Sequence, residues 1–197
     1  VTNTGTRTVS VDDMYAVVED NPEIFEGVTP RVTGSFTLKN GSTSLTRKTV
    51  TGVGEDYLNI NHMELSAGRM LGYGDIITRN NVCVVGTYII SELFENNNVV
   101  GETIKIDGDV YTIIGILEEQ EDSSENSSDD CIYIPYTNAS RLNWTSEITS
   151  FTFAAYDTDL VEAGENILDS TLYDILKDED LYTITSMTAL LDTVNEM

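Results

Sequence analysis

The segment from Val82 to Glu119 constrains the fold more than any other part of the chain. An apolar strand is predicted to end at Gly86, a short amphipathic helix to run to Phe94, and an asparagine-rich turn to lead to Gly101. Two strands rich in β-branched residues then flank the turn Asp107–Asp109. The segment therefore predicts a compact β-α-β-β unit, and it shows no obvious catalytic motif.

The balance of charge limits what the chain can bind. Among 197 residues, 34 are acidic and 10 are basic, which gives a formal net charge of −24. Such a surface repels nucleic acid and anionic lipid head groups, so no nucleic-acid partner is expected. The hydrophobic content of 40% is ordinary for a globular protein and is enough for a core. The charge suits a domain held outside a cell, and an acidic cytosolic protein is the alternative.

The two ends of the sequence lead us to expect a domain cut from a longer protein. No apolar run approaches the roughly 20 residues that a membrane-spanning helix needs. The chain begins with VTNTGTRTVS, which has none of the features of a signal peptide, and it stops at Met197 inside a predicted helix.

Helix and strand patterns at the two ends differ from the pattern in the middle. Ser10 is predicted to cap a first helix, and Asn40-Gly41 predicts a hairpin between strands at 27–38 and 44–54. The last third predicts, in order, a strand at 149–156, an amphipathic helix at 157–177, a strand at 181–185 and a helix capped by Ser186. The middle is β-rich and contains the acidic, serine-rich segment 118–130, which we expect to be mobile and solvated.

These patterns predict an α+β fold with two subdomains. A mixed βαβ-type subdomain would be built from both chain ends, residues 1–68 and 146–197, with a β-rich subdomain, residues 69–145, inserted in it. Such an arrangement brings the two ends of the chain near each other, as an insertion between two membrane helices requires.

The sequence offers little for chemistry. His62 is the only histidine, and no serine or cysteine has the context of an activated nucleophile, so a surface or packing role is preferred to catalysis. Gly86 alone cannot form a phosphate-binding loop and is interpreted as a strand-to-helix turn. Asp107–Asp109 lacks the ligand spacing of a calcium loop and is interpreted as a hairpin turn. We therefore predict no catalytic residues, no metal site and no cofactor.

Two further sets of residues are candidates for a site. Cys83 and Cys131 both lie in predicted strands, so they could form a disulfide if those strands are neighbours, but two buried free thiols are the preferred interpretation. Tyr133, Tyr136 and Trp144 lie near one another along the chain and could line a partner surface, since aromatic residues are typical interface anchors. Core packing explains these three aromatic residues about as well.

Several segments, in order, resemble the extracytoplasmic core domain of MacB/FtsX-like ABC transporter permeases. They include TGVGEDYLNINHMELSAGRML with its pair Gly68-Arg69, then Asp75, Arg79 and NNVCVVG. ELF followed by VVGETIKIDGDVYTIIGILEE, and the closing strand IYIPYTNASRL, continue the pattern. The resemblance is strong over 25–145 and loose at the ends. The acidic segment 118–130, the negative charge and Cys131 depart from the family's pattern.

The resemblance implies a domain between the first and second of four transmembrane helices, with one subdomain interrupted by the other. It implies a second permease protomer and a cytoplasmic ATPase subunit as partners, and no catalytic residue, cofactor or nucleotide site in the domain. The chain would be a non-catalytic extracellular domain of a bacterial permease at the cell membrane. It would relay ATP-driven motion, recognise a peptide, antibiotic, lipoprotein or cell-wall partner, or do both. A free secreted binding or adhesion module is the alternative.

Overall fold

The structure, a computed structural model, describes residues 9–142, 148, 150–178, 180 and 182–185, with residue 47 described by its backbone only. The elements, in chain order, are α1 (Val11–Asp20), β1 (Phe25–Asn40), β2 (Thr43–Val53), α2 (Tyr57–Ile60), β3 (Leu65–Gly68), α3 (Tyr73–Ile77), β4 (Val82–Val85), α4 (Thr87–Leu93), β5 (Thr103–Ile106), β6 (Asp109–Leu117), β7 (Ile132–Pro135), α5 (Tyr136–Leu142), β8 (Ser150–Ala155) and α6 (Val161–Leu176). The α+β prediction is confirmed.

Local sequence signals set the ends of several elements. The Ser10 hydroxyl accepts a hydrogen bond from the backbone N–H of Asp13 at 3.1 Å, and the Asp13 carboxylate accepts one from the Ser10 N–H at 3.3 Å. This reciprocal pair is a capping box, which satisfies donors that the first turn of a helix leaves open. The predicted first helix is therefore confirmed.

The turn between β5 and β6 is also the one that the sequence predicts. Asp107 and Gly108 both have left-handed backbones, with φ of +52° and +86°, and Ile106 pairs with Asp109. Two positive φ values in a two-residue hairpin turn match the right-handed twist of the flanking strands. Asp107–Asp109 therefore serves as a hairpin turn.

Contacts divide the chain into two compact units, and the larger, the central unit, consists of residues 29–150. Its strands pair in the order β2-β7-β4-β6-β5-β1, and β1 also pairs with β2, so the six strands form a closed ring. The short contact of Leu38 and Lys39 with Ile106 and Lys105 completes the ring, while β3 continues along β6 beyond the end of β5. Closure leaves few open strand edges.

The core of the central unit has two faces because side chains alternate along each strand. On β4, Cys83 and Val85 belong to the larger cluster, which also holds the helix residues Ile89, Ile90 and Leu93. Val82 and Val84 belong to a smaller cluster on the other face, together with Leu58 of α2. Both β4 and β7 are buried on both faces.

The second unit, the end unit, is built from residues 1–28 and 151–197. In its described part α1, the start of β1, β8 and α6 share a core of Met14, Val17, Phe25 and Leu168. The Phe25 and Phe153 rings lie 5.4 Å apart, and the Tyr156 N–H donates to the Ile24 carbonyl at 3.1 Å. Both ends of the chain therefore contribute to one core.

In its units and elements, the structure differs from the sequence-based expectations in two places. The contacts group residues 29–68 with the central unit, whereas the predicted boundary falls at 68/69, because β1 and β2 pair with β5 and β7. The strand predicted at 181–185 is wrong over the described residues 182–185, which have no regular structure. The helix predicted from Ser186 lies outside the described residues. None of the helices in the described parts of the chain combines the length and the apolar character that crossing a membrane requires.

Candidate functional site

His62 lies on the surface, where the preferred interpretation puts it. It follows α2 in an exposed turn with a left-handed backbone, φ +54°, and its backbone N–H donates to Asn59 O at 3.4 Å. The exposed position does not offer the burial that a general base would use to exclude water from the reacting groups.

The structure does not join Cys83 and Cys131, so the disulfide interpretation is wrong. Both thiols are free, although β4 and β7 are antiparallel neighbours. Val84 pairs with Tyr133, which separates the two cysteines by three positions along the strands, about 10 Å, beyond the reach of a disulfide. Burial raises the pKa of both thiols, that of Cys131 to about 12, so neither is a ready nucleophile.

Tyr133, which was predicted to line an aromatic surface, is buried. This residue is 7% exposed, and its ring lies 4.7 Å from that of Tyr57 within the smaller core cluster. Tyr136, at the start of α5, is half-buried against the larger cluster. Trp144 lies outside the described residues. Strand β7 is buried on both faces, which turns Tyr133 into a core residue rather than an anchor.

Gly86 is required for close packing between β4 and the acidic segment 118–130. A Cβ atom there would lie 2.3 Å from the Asp129 carbonyl oxygen and 2.8 Å from the Cys131 sulfur. The Gly86 N–H donates to the Cys131 carbonyl at 2.9 Å. The N–H that a phosphate loop would offer to a ligand is therefore already used inside the protein.

Residues that carried the family resemblance meet around Asp75 in α3. The carboxylate accepts hydrogen bonds from Arg69 at 2.7 Å, from the backbone N–H of Gly72 at 2.9 Å and from Asn80 at 3.0 Å. The Arg69 hydrogen bond, together with those of Gly72 and Asn80, outweighs the effect of burial and lowers the pKa of Asp75 to about 2. Asp75 thus fixes α3 to the segments before and after it.

Helix α5 holds the other end of α3. The Thr137 hydroxyl donates to the Ile76 carbonyl at 2.7 Å, and the Asn138 amide donates to the Arg79 carbonyl at 3.2 Å. Asn138 is itself 1% exposed, and it also bonds to Asn81 at 2.9 Å. α3 is therefore a short helix held rigidly at both ends.

The outward side of α3 carries exposed apolar side chains. Tyr73 is 65% exposed and Ile77 is 58% exposed, and the two lie one turn apart on the same face. Arg79 is exposed directly after the helix, and Arg141 is exposed one turn after Thr137 and Asn138 on α5. We call these four residues, Tyr73, Ile77, Arg79 and Arg141, the α3 surface.

The acidic segment 118–130 is folded around one buried carboxylate. Asp129 is 1% exposed and accepts backbone hydrogen bonds from Gln120, Glu121 and Ser123 at 2.7–3.0 Å. Burial by itself raises the pKa of Asp129, but these hydrogen bonds outweigh burial and hold the pKa below its usual range. The prediction that this segment is solvated is therefore wrong at Asp129. The backbone of the segment itself supplies the hydrogen-bond donors that make burial of the charge tolerable.

Lys48 of β2 ties this segment to the ring of strands. Its ammonium lies 3.0 Å from Asp130 and 3.4 Å from Glu125, and 4.9 Å from the centre of the Tyr88 ring. Burial alone lowers the pKa of Lys48, but the hydrogen bond and charge of Asp130 outweigh it and raise that pKa. A buried lysine held by two carboxylates stabilises structure and is poorly suited to proton transfer at neutral pH.

Lys48, Tyr73 and Ile77 are not among the candidate residues predicted from the sequence. The spacing of Tyr73 and Ile77 was the available signal, because it places two large apolar side chains on one helical face while Ile76 takes the buried side. No signal identified Lys48, whose partners are far away along the chain. Within the described ranges, no three His, Cys, Asp or Glu side chains are grouped to hold a metal ion.

Comparison with known proteins gives one consistent family. The sequence profile of the MacB-like periplasmic core domain matches residues 2–171. The chain is 26% identical over 153 residues to the macrolide export ATP-binding/permease protein MacB of Aggregatibacter actinomycetemcomitans, covering 77% of this chain and 23% of that protein. It is 24% identical over 147 residues to the uncharacterized ABC transporter permease YknZ of Bacillus subtilis, covering 72% of this chain and 36% of that protein. The chain thus spans about a quarter of the length of the MacB proteins that it matches.

Solved structures share the fold. The periplasmic region of MacB from Actinobacillus actinomycetemcomitans superposes with a TM-score of 0.81 at 21% identity, covering 100% of this chain and 87% of that one. The extracellular domain of the ABC-type transporter YknZ from Gram-positive bacteria superposes with a TM-score of 0.75 at 13% identity, covering 91% of this chain and 90% of that one.

Proposed function

Because the chain belongs to the family of MacB-like periplasmic core domains, we propose that it relays ATP-driven motion of a permease to the space outside the membrane and recognises a partner there. Family membership makes it a non-catalytic periplasmic or extracellular domain of an ABC transporter permease. This agrees with the expectation that the chain is not an enzyme. The match over residues 2–171 is the single observation that carries the proposal.

The core of the end unit supports the relay. Helices α1 and α6, which lie towards opposite ends of the chain, pack against each other through Met14, Val17 and Leu168. Protein interiors are close-packed and transmit displacement rather than absorbing it. A displacement of α1 would therefore be passed to α6 through side chains already in contact.

The partners of the whole protein belong to the same proposal. We propose a second permease protomer and a cytoplasmic ATPase subunit, both engaged through membrane segments beyond this chain. The MacB relatives are named for macrolide export, and the ligand outside the membrane would be a peptide, an antibiotic, a lipoprotein or a cell-wall partner.

Distance measurements on the full-length permease with its ATPase test the relay. A spin label at Asp20→Cys, in a background with Cys83→Ser and Cys131→Ser, places a probe at the exposed end of α1 in each protomer. The distance between the two labels is expected to shift when a non-hydrolysable ATP analogue binds. A label at Lys105→Cys, on β5 of the central unit, is the control for effects of the labelling itself. Unchanged distances while the complex still hydrolyses ATP would overturn the relay.

The free secreted module makes a different prediction. It would retain its cellular role when residues 1–197 are secreted without the rest of the protein. Complementation of a deletion strain by the secreted domain alone would therefore favour that alternative, whereas complementation only by the full permease favours the proposal.

A further inference from the structure

We infer that the α3 surface is a docking site for a protein partner that presents acidic and apolar side chains together. The inference rests on the proposed function, in which the domain meets a partner outside the membrane. It begins with Tyr73 and Ile77, which are 65% and 58% exposed and adjacent on one helical face. Each of these side chains would lose apolar area to water on binding, and tyrosine is among the residues enriched where proteins bind one another.

Arg79 is the second observation. Its backbone is left-handed, with φ +52°, in the position after a helix that glycine occupies at the lowest cost. Arginine is not among the residues that adopt this conformation readily, whereas asparagine, aspartate and glycine are. The chain therefore carries a cation on the α3 surface at a position where the backbone favours a residue without a side chain.

Charge indicates the kind of partner. The chain has 10 basic residues against 34 acidic ones, yet Arg79 is exposed directly after the helix that carries the apolar pair, and Arg141 is exposed on α5, the helix that holds the end of α3. Asp75, the acidic residue within α3, is buried and bound by Arg69, so it does not neutralise them. Arginine pairs well with carboxylates, and the surface thus complements an acidic segment with apolar side chains.

The α3 surface is also prepared for binding. Asp75 fixes one end of α3, and Thr137 and Asn138 hold the other, so little freedom is lost when a partner docks. An anionic membrane is a poorer occupant, because recognition of anionic lipid usually involves about four or more clustered cations and the α3 surface has two. The four residues cover a small area, which suits a weak, transient contact.

Titration of the isotope-labelled chain with a defined peptide tests the inference by NMR. The peptide EELFDEIFE is expected to shift amide signals of α3 and the end of α5, and its basic counterpart KKLFKKIFK is not. The variant Tyr73→Ser, Ile77→Ser, Arg79→Gly should lose about tenfold in affinity for the acidic peptide. The matched control is Tyr173→Ser, Lys177→Gly, because Tyr173 is 45% exposed and Lys177 also has a left-handed backbone, φ +59°. This control should bind like the parent chain, and the spectra of both variants report whether they are folded.

In the peptide titration, three outcomes would overturn the inference. They are an absence of shifts at α3, an equal loss of affinity in the control, and equal shifts at α3 from the basic peptide, which would indicate unspecific apolar adhesion. Binding to phosphatidylglycerol vesicles that is lost in the α3 variant would assign the surface to a membrane instead and also overturn it. The spin-label experiment on the full permease does not use the α3 surface, so failure of either idea can be told apart from failure of the other.

Discussion

Asp75 concentrates several roles in one side chain, since it binds Arg69, caps α3 and bonds to Asn80. Replacing it with asparagine keeps the size but removes the charge that Arg69 and the Gly72 N–H require. We expect Asp75→Asn to lower the free energy of unfolding by ~1–3 kcal/mol. Urea unfolding measures this, and Asp122→Asn on the exposed acidic segment should change stability by less than ~0.5 kcal/mol. Equal losses in the two variants would contradict the role of Asp75.

The pH dependence of stability should identify the same carboxylate. Its folded pKa is lowered to about 2 from 3.8, so its stabilising contribution is complete above about pH 4 and is lost as the pH falls towards 2. We expect the stability difference between the parent chain and Asp75→Asn to shrink across that window. Urea unfolding at a series of pH values gives the difference directly, and a difference that stays constant between pH 5 and pH 2 would show that Asp75 titrates normally.

Arg79 allows a test of backbone strain that is separate from binding. Replacing a left-handed arginine by glycine relieves ~1 kcal/mol of steric cost while adding freedom to the unfolded chain. Arg79→Gly should therefore leave thermal stability unchanged or raise it by up to ~1 kcal/mol. Lys177→Gly at the end of α6 is expected to behave in the same way. A clear loss of stability in Arg79→Gly alone would show that the side chain supports the fold.

Single residues also show where the sequence was informative. The Ser10–Asp13 capping box and the Asp107-Gly108 turn were predictable because both depend on neighbours within a few positions. The separation of Cys83 from Cys131 was not, because it depends on the register between β4 and β7. The burial of Tyr133 depends in the same way on what covers each face of β7.

At the scale of elements, the acidic segment 118–130 behaves as a folded element rather than as a linker. Its composition predicted a solvated loop, since it offers no apolar residue to a core. The structure instead buries two carboxylate-bearing side chains, Asp129 among backbone N–H groups and Asp130 beside Lys48. Composition alone cannot anticipate a loop whose own backbone supplies the partners for a buried charge.

Removing the central carboxylate should therefore open the segment. In Asp129→Ala three backbone donors lose their acceptor, and an unmet buried donor costs roughly 1–3 kcal/mol. We expect limited proteolysis to cut between residues 118 and 130 at least about tenfold faster, in proportion to the larger open population. Asp122→Ala, which removes an exposed carboxylate from the same segment, is the control. Equal cleavage rates in the two variants would show that Asp129 does not hold the segment closed.

For the whole molecule, the division into units is where sequence and structure differ most. The pattern of elements predicted that both chain ends build one subdomain, but it placed the hairpin β1–β2 with them. The hairpin pairs with β5 and β7, and such long-range pairing leaves no local trace in the sequence. Two separate cores make the difference testable, since each unit has its own buried cluster.

Hydrogen exchange on a core variant of each unit distinguishes the two boundaries. Leu168→Ala empties part of the end-unit core and should cost ~2–5 kcal/mol there, so α1 and α6 should lose protection. If the boundary lies at 28/29, residues 31–53 of the hairpin keep their protection with β4 and β6. If it lies at 68/69, the hairpin loses protection together with α1. The reciprocal variant Val50→Ala, at a site that is 0% exposed, should weaken the central unit and leave α6 protected. Loss of protection in both units from either change would mean that the chain unfolds as one cooperative body, and that neither boundary separates independent units.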